Sequence, residues 1–303
     1  MGLIPAEFAE STIAREGDAG RAWLAALPAI ADEVLTRWKC TQDGPTMYGG
    51  VGIVLPVQGD RVVKISYPHP GNDYEADAFE TWAGRGAVKL YRRDDERYAL
   101  LLERAHPEAL SGVDDGDIMA LAAGQLSRRL AVAAPEHLPR LSDRADEWTE
   151  ELRSGAANFP DALPPSAVDA ALTVIDDLGR KQPELVVHGD FHARNILRSD
   201  REPWLAVDPK GYVGDPAYDA ATFALPRAFA LIDSPDLFRT LLRELAIFAE
   251  AAELDPLRIR RWALFRAVQG GYHGRRNGFR RGRRGSLLER VVALADDLAV
   301  ALA

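Results

Sequence analysis

Cysteine is nearly absent from this chain. Cys40 is the only one among 303 residues, so no disulfide can form within the chain and no cysteine zinc cluster is possible. Histidine is scarce too, and its six copies show no HExxH or similar ligand spacing. Lysine is confined to Lys39, Lys64, Lys89, Lys181 and Lys210, which makes each lysine inside a motif more informative. No apolar run approaches the ~20 residues of a membrane span. Met1 to Arg21 lacks both a basic start and an apolar stretch, so no signal peptide is expected. An excess of positive charge is missing as well. The net charge of −9 argues against a general nucleic-acid binder. No Walker A sequence occurs. The expectation is a protein of the reducing, ATP-containing cytoplasm, with no membrane and no nucleic-acid partner. Its oligomeric state is left open.

Apolar residues make up 47% of the chain, enough for a sizeable core in one large domain or two lobes. Trp23, Leu27, Ile30, Val34, Leu35 and Trp38 share one face of a helix over Gly20 to Lys39. Val51 to Val57 and Arg61 to Ser66 read as two strands joined by a turn at Gln58-Gly59-Asp60. A helix follows over Asp73 to Ala83, capped by Asn72 or Asp73. Ala87 to Arg92 and Tyr98 to Leu102 read as further strands. Beyond Asp114 the pattern is mainly helical. Helices are expected over Ile118 to Val132, Ala145 to Ala156, Ser166 to Arg180, Ala217 to Ala230, Pro235 to Glu253, Arg258 to Val268 and Leu287 to Leu302.

Chemistry concentrates in Val187-His188-Gly189-Asp190-Phe191-His192-Ala193-Arg194-Asn195. Leu185-Val186-Val187 reads as a buried strand before it. Ile196-Leu197, a turn at Ser199 to Pro203 and Trp204 to Val207 read as a hairpin after it, ending in Asp208. An Asp and an Asn five positions apart, then a second Asp at a strand end, can serve phosphoryl transfer. In that reading Asp190 orients the attacking hydroxyl, while Asn195 and Asp208 hold magnesium. His188 reads as a brace for the loop. Protein kinases use the same step from Asp to Asn in H-R-D-L-x-x-x-N, but here Gly189 stands where they have Arg.

Lys64 lies in Val62-Val63-Lys64-Ile65. Alternation puts Val63 and Ile65 on one face and Val62 and Lys64 on the other. A lysine inside so apolar a strand needs an anionic partner. Glu75, Phe79 and Trp82 fall on one stripe of the next helix and Glu80 falls off it, so Glu75 is the expected partner. Gly49 and Gly50, ahead of Lys64, could let a backbone approach phosphates.

Together these motifs resemble the aminoglycoside/hydroxyurea antibiotic resistance kinase family, the streptomycin 6-kinase group. The resemblance rests on Asp43-Gly44-Pro45, Val63-Lys64-Ile65-Ser66, Trp82-Ala83-Gly84-Arg85-Gly86, His188-Gly189-Asp190, Ala206-Val207-Asp208-Pro209-Lys210-Gly211 and Gly214-Asp215-Pro216-Ala217-Tyr218-Asp219. It implies an α+β, bilobal protein-kinase-like fold. A small β-rich nucleotide-binding lobe over 1–105 would precede a larger helical catalytic and substrate-binding lobe over 106–303. It also implies phosphorylation of a small-molecule hydroxyl with ATP, or another nucleoside triphosphate, and Mg2+. The backbone of Glu103 and Ala105, after Leu100-Leu101-Leu102, would then pair with adenine.

For the substrate, Lys210 lies beside the metal-binding Asp208. Asp215 and Asp219 could supply charge to a polycationic aminoglycoside, or could cap the helix that begins near Ala217. A run of arginines from Arg275 to Arg284 opposes a polycation if it borders the substrate, and is otherwise a solvated loop.

Overall fold

A computed structural model describes residues 3–278 and 286–303, and the chain separates into two units, Met1–His106 and Pro107–Ala303. In the first unit, α1 (Ala6–Trp38) starts well before the expected Gly20. Gly17 explains the difference. Its φ of 61° and ψ of −133° break the helix and turn its first segment onto a new course. Phe8 from that segment is fully buried, beside Leu27 and Val34 of the later one.

This helix covers one face of an antiparallel sheet of order β1-β2-β3-β5-β4. The strands are β1 (Met47–Tyr48), β2 (Gly52–Val57), β3 (Arg61–Ser66), β4 (Leu90–Asp94) and β5 (Ala99–Glu103). Val63 and Ile65 of β3 pack into the α1 face with Ile53, Leu55 and Leu101. By strand alternation Lys64 is turned to the opposite face. There it meets α2 (Glu75–Trp82). The α2 helix starts later than Asp73 and its N-cap, Tyr74, makes no side-chain cap bond. Asp73 instead accepts a hydrogen bond from the Tyr98 hydroxyl at 2.9 Å. Strand β4 also lies further along than expected, with a bulge between Leu90 and Arg92.

The second unit is mainly helical: α3 (Gly116–Leu130), α4 (Ala145–Asn158), α5 (Pro165–Val174), α6 (Pro216–Ala230), α7 (Leu237–Ala252), α8 (Pro256–Asn277) and α9 (Ser286–Leu302). The helix expected to reach Arg180 stops at Val174 and passes into a π-turn over Ile175–Gly179. Two short antiparallel pairs lie between α5 and α6. One is β6 (Leu185–Val187) with β9 (Tyr212–Gly214), and the other is β7 (Ile196–Arg198) with β8 (Trp204–Ala206). The second pair is the expected hairpin. The partner of β6 was not legible in the sequence.

Helix α8 runs through Gly270-Gly271 and past the expected end at Val268. A Cβ at Gly270 would lie 2.7 Å from the Leu225 side chain of α6, so the small residue lets the two helices close on each other. Packing of this kind, more than propensity, sustains a helix in water. Trp148, Tyr218, Trp262 and Phe265 form an aromatic core, with the Trp148 and Tyr218 rings stacked at 5.9 Å. Among the described residues no helix is long and apolar enough to cross a membrane.

Candidate active site

The loop after β6 is closed by its own backbone. Asp190 O accepts from His192 N at 3.0 Å and from Asn195 Nδ2, also at 3.0 Å. That second bond gives the five-residue step from Asp to Asn a geometric reason, because the amide spans the turn that the carboxylate opens. A second set of bonds joins this loop to the end of the hairpin. Val207 N donates to Asn195 O at 2.9 Å, and Lys210 N donates to His188 O at 2.7 Å. His188 Nε2 meets Val207 O at 2.9 Å, while Nδ1 accepts from Asp190 N at 3.3 Å. These partners fix the neutral tautomer with the proton on Nε2. Burial pushes the His188 imidazole down to about 4, so it stays uncharged at neutral pH.

Asp190, Asn195 and Asp208 are thereby carried on two stretches of backbone stitched side by side. Asp208 sits at φ 60°, an uncommon conformation for a residue other than glycine, and such strain gathers at functional positions. Gly189, between His188 and Asp190, has φ 81°. A Cβ there would lie 2.7 Å from Tyr212 Cδ2 and 3.0 Å from Lys210 Cβ. The Arg of protein kinases could not occupy this position without moving the Tyr212 ring.

Helix α6 supplies the support that was not legible in the sequence. Asp219 Oδ2 accepts from His188 N at 2.7 Å, and Oδ1 accepts from Gly189 N at 2.8 Å. Thr222 Oγ1 accepts from Phe191 N at 2.8 Å and donates to Asp219 O at 2.9 Å. Burial pushes the Asp219 carboxyl up to about 7, against the pull of its two N–H donors. Asp215 caps the helix, accepting from Ala217 N at 3.0 Å. Its other oxygen meets Trp262 Nε1 at 2.7 Å and Arg258 Nε at 2.5 Å. Both aspartates are buried and turned to the protein's own donors, so neither presents charge to a substrate. Asp215 thus takes the second of its two readings, the helix cap, while Asp219 is given to the backbone of the loop. The signal for it was the i, i+4 spacing of two acids at the start of an otherwise apolar, alanine-rich helix.

In the first unit Lys64 Nζ meets Glu75 Oε1 at 2.6 Å and Oε2 at 2.8 Å, and both residues are buried. Glu80 instead meets Arg93 at 3.2 Å. Gly49 N donates to Gly52 O at 2.9 Å, and Gly50 O accepts from Arg15 Nη1 at 2.7 Å. Tyr48 donates to Glu7 at 2.5 Å, so the first segment of α1 holds the glycine turn by two bonds. Glu103 N donates to Lys89 O at 2.8 Å, and Ala105 follows the end of β5.

A cleft of about 570 Å³ opens beside the loop in the second unit. Asp190 and Arg194 line it, with Arg227 and Phe223 of α6 and Arg266 and His273 of α8. Its size suits a small organic ligand. Arg275 and Arg276 belong to the last turn of α8 and pair with Asp296 and Glu151, at 2.8 Å and 3.0 Å. The rest of the arginine run, Arg280 to Arg284, lies outside the described residues.

The family described as aminoglycoside/hydroxyurea antibiotic resistance kinase matches residues 37–278. The chain is 33% identical over 272 residues to streptomycin 6-kinase of Streptomyces glaucescens, a match covering 88% of this chain and 89% of that protein. It is 32% identical over 274 residues to hydroxyurea phosphotransferase of Kitasatospora aureofaciens, covering 88% of this chain and 78% of that one. Among solved structures it resembles a choline/ethanolamine kinase family protein from Mesorhizobium loti. The TM-score is 0.57 at 14% identity, covering 88% of this chain and 99% of that one, which is a likeness of fold.

Proposed function

The chain belongs to the aminoglycoside/hydroxyurea antibiotic resistance kinase family, with an α+β, bilobal protein-kinase-like fold, and from that premise we propose that it phosphorylates a hydroxyl of a small-molecule antibiotic using Mg2+ and ATP or another nucleoside triphosphate. The observation that carries this reading is the stitched loop. One closed turn and one hairpin end bring an aspartate, an amide and a second aspartate together.

Asp190 would orient the acceptor hydroxyl and take its proton as the oxygen attacks phosphorus. The residues present fit a magnesium ion. Asn195 commits its Nδ2 to the loop and would offer Oδ1 to the ion, and Asp208 at the strand end would add a carboxylate. Among the described residues no cluster of three or more His, Cys, Asp or Glu side chains could hold a metal. Magnesium does not require such a cage, since it takes one or two protein oxygens together with substrate phosphates. When bound, it neutralises negative charge on the phosphate oxygens.

In the first unit, Lys64 would grip the nucleotide phosphates, held in position by Glu75. The Gly49-Gly50 turn would offer backbone groups to the same phosphates. The adenine would meet the carbonyl of Glu103, whose N–H is spent on Lys89, and the backbone of Ala105. Lys210, one residue past Pro209, would add positive charge near the phosphates or the acceptor. The first unit would thus serve the nucleotide and the second the chemistry and the acceptor, in a cytoplasmic enzyme.

Asp190→Ala tests the mechanism. Turnover should fall by about 10²–10⁴-fold, while Mg2+-dependent nucleotide binding, measured by calorimetry, survives. A variant that turns over normally would remove Asp190 from the chemistry. The relatives' names offer an aminoglycoside, streptomycin, as the first acceptor to try. A neutral or anionic acceptor is the second reading, favoured by Arg266 in the cleft lining, whose Nη1 is tied to the neutral Gln269.

A further inference from the structure

The first segment of α1, residues 6–16, lies before residue 37, where the family match starts. Two glycines set its course. Gly17 turns the chain at φ 61° and ψ −133°, a conformation closed to most L-residues. Gly20 then lets the segments on either side of the turn meet. A Cβ there would lie 2.8 Å from Glu16 Cβ and 2.9 Å from Thr12 O. In a straight helix residues eight apart are separated by about 12 Å, so the first segment folds back. Phe8 anchors it. That side chain is fully buried, and its ring lies 6.1 Å from the Trp23 ring and 5.8 Å from the Tyr48 ring.

The segment reaches the glycine turn ahead of Lys64 and holds it at three points. The Tyr48 hydroxyl donates to Glu7 at 2.5 Å, the Tyr48 ring leans on Phe8, and Arg15 Nη1 donates to Gly50 O at 2.7 Å. Arg15 is itself held, because its Nε donates to Glu16 Oε1 at 2.6 Å. The far side of the turn is tied to the sheet, where Tyr67 N donates to Val51 O at 2.7 Å. Two successive glycines leave a peptide free to rotate unless something ties it. Arg15 ties the plane of one peptide. The Gly50–Val51 bond is trans, so a carbonyl pinned toward Arg15 points the Val51 N–H the opposite way, off α1. That N–H donates to no acceptor among the described residues.

We infer that residues 6–16 are a strap that sets the glycine turn for the nucleotide phosphates, and that Arg15 is its positioning residue. This rests on the kinase reading above and adds to it an element outside the shared family pattern. Arg15 touches no phosphate in this role. It holds a carbonyl, and the N–H at the other end of that peptide meets a phosphate oxygen in an orientation already set, so less ordering is lost when the nucleotide binds. Glu7 serves the same end through Tyr48, although its charge has the sign that repels a nucleotide.

The test uses the full chain and calorimetry with Mg2+ and non-hydrolysable ATP and GTP analogues, and the nucleoside of whichever binds. Arg15→Gln should weaken the triphosphate analogue about 5–10-fold, in line with one partly exposed hydrogen bond, and leave the nucleoside unmoved. Arg15→Lys, which keeps a charged donor, should recover part of the loss. Glu7→Ala separates positioning from charge by its sign. Removing an acid near an anionic ligand strengthens binding if charge alone counts, whereas loss of the Tyr48 tie weakens it. Weaker triphosphate binding in Arg15→Gln and Glu7→Ala, at unchanged nucleoside affinity, bears out the strap. Triphosphate affinity unmoved in Arg15→Gln overturns it. An equal loss for triphosphate and nucleoside marks a merely structural role and also overturns it. So does a loss in Arg15→Gln beside a gain in Glu7→Ala, because Arg15 would then act through its charge on the phosphates. If the unaltered protein binds neither analogue, the kinase reading falls and the strap with it. If it binds and the variants bind equally well, the strap alone falls.

Discussion

Replacing Gly189 by alanine adds one methyl group at the point where the loop turns into Asp190. Two costs follow from the geometry. The backbone is held at φ 81°, a conformation that costs an L-residue about 1–2 kcal/mol. The new Cβ would sit 2.7 Å from Tyr212 Cδ2 and 3.1 Å from Cε2, against ordinary carbon contacts of about 3.5–4.0 Å. Relief requires the ring to move by roughly 1 Å, and overpacking of this kind costs about 1–3 kcal/mol. The Tyr212 backbone is not free to give way with the ring, because it pairs with Val187 in the β6–β9 ladder. The total is about 2–5 kcal/mol, a large share of the roughly 5–15 kcal/mol that holds a protein folded. Any relaxation through the loop also shifts the Asp190 carboxylate, and a 1 Å displacement at a reacting group can cost about 10²-fold in rate. The assay is urea unfolding and turnover of Gly189→Ala beside Gly49→Ala. A Cβ at Gly49 meets nothing within 4 Å, so that variant should stay within about 0.5 kcal/mol of the unaltered protein. If Gly189→Ala proved as stable and as active as the parent, the steric account of the glycine would be wrong.

Two further outcomes follow from the same loop. Asp219→Ala removes the acceptor of two backbone N–H groups, each costing about 1–3 kcal/mol when left buried and unsatisfied. Unfolding should shift accordingly and kcat should fall while nucleotide affinity holds, whereas a variant with normal kcat would separate Asp219 from the loop's geometry. His188 is held neutral in the fold down to about 4, while an unfolded chain protonates it near pH 6.5. Its contribution to stability is therefore complete above pH 6.5 and is lost as pH falls toward 4, at up to about 1.4 kcal/mol per pH unit. His188→Gln should flatten that part of the pH profile in urea unfolding, and an unaltered slope would show that another group titrates.

The parts of the site legible in the sequence are those set by local period. Strand alternation turned Lys64 away from Val63 and Ile65, and helical spacing chose Glu75 over Glu80, because each depends on neighbours a few residues apart. The β7–β8 hairpin was readable for the same reason. Asp219 and Thr222 were not, since their bonds reach back some thirty residues to backbone groups that carry no side-chain signature. Asp215 could be read as a charge for the substrate or as a helix cap, and its bonds to Arg258 and Trp262 come from a distant helix. The end of α8 was hidden by Gly270-Gly271, a pair that reads as a break and acts as a close contact. The kink at Gly17 concealed the first segment of α1, whose polar sequence shows its purpose only where Arg15 and Glu7 meet the glycine turn.

The bonds from Asp219 and Thr222 to the backbone of His188, Gly189 and Phe191 divide labour within one short segment. The shape of the loop is set from behind, by a helix, through main-chain groups that every residue possesses. The side chain of Ala193, which lines the cleft, carries none of that duty. Substitution there can retune which molecule is accepted without disturbing where Asp190 stands. A scaffold arranged in this way can change its substrate by small steps, each leaving a working enzyme behind it.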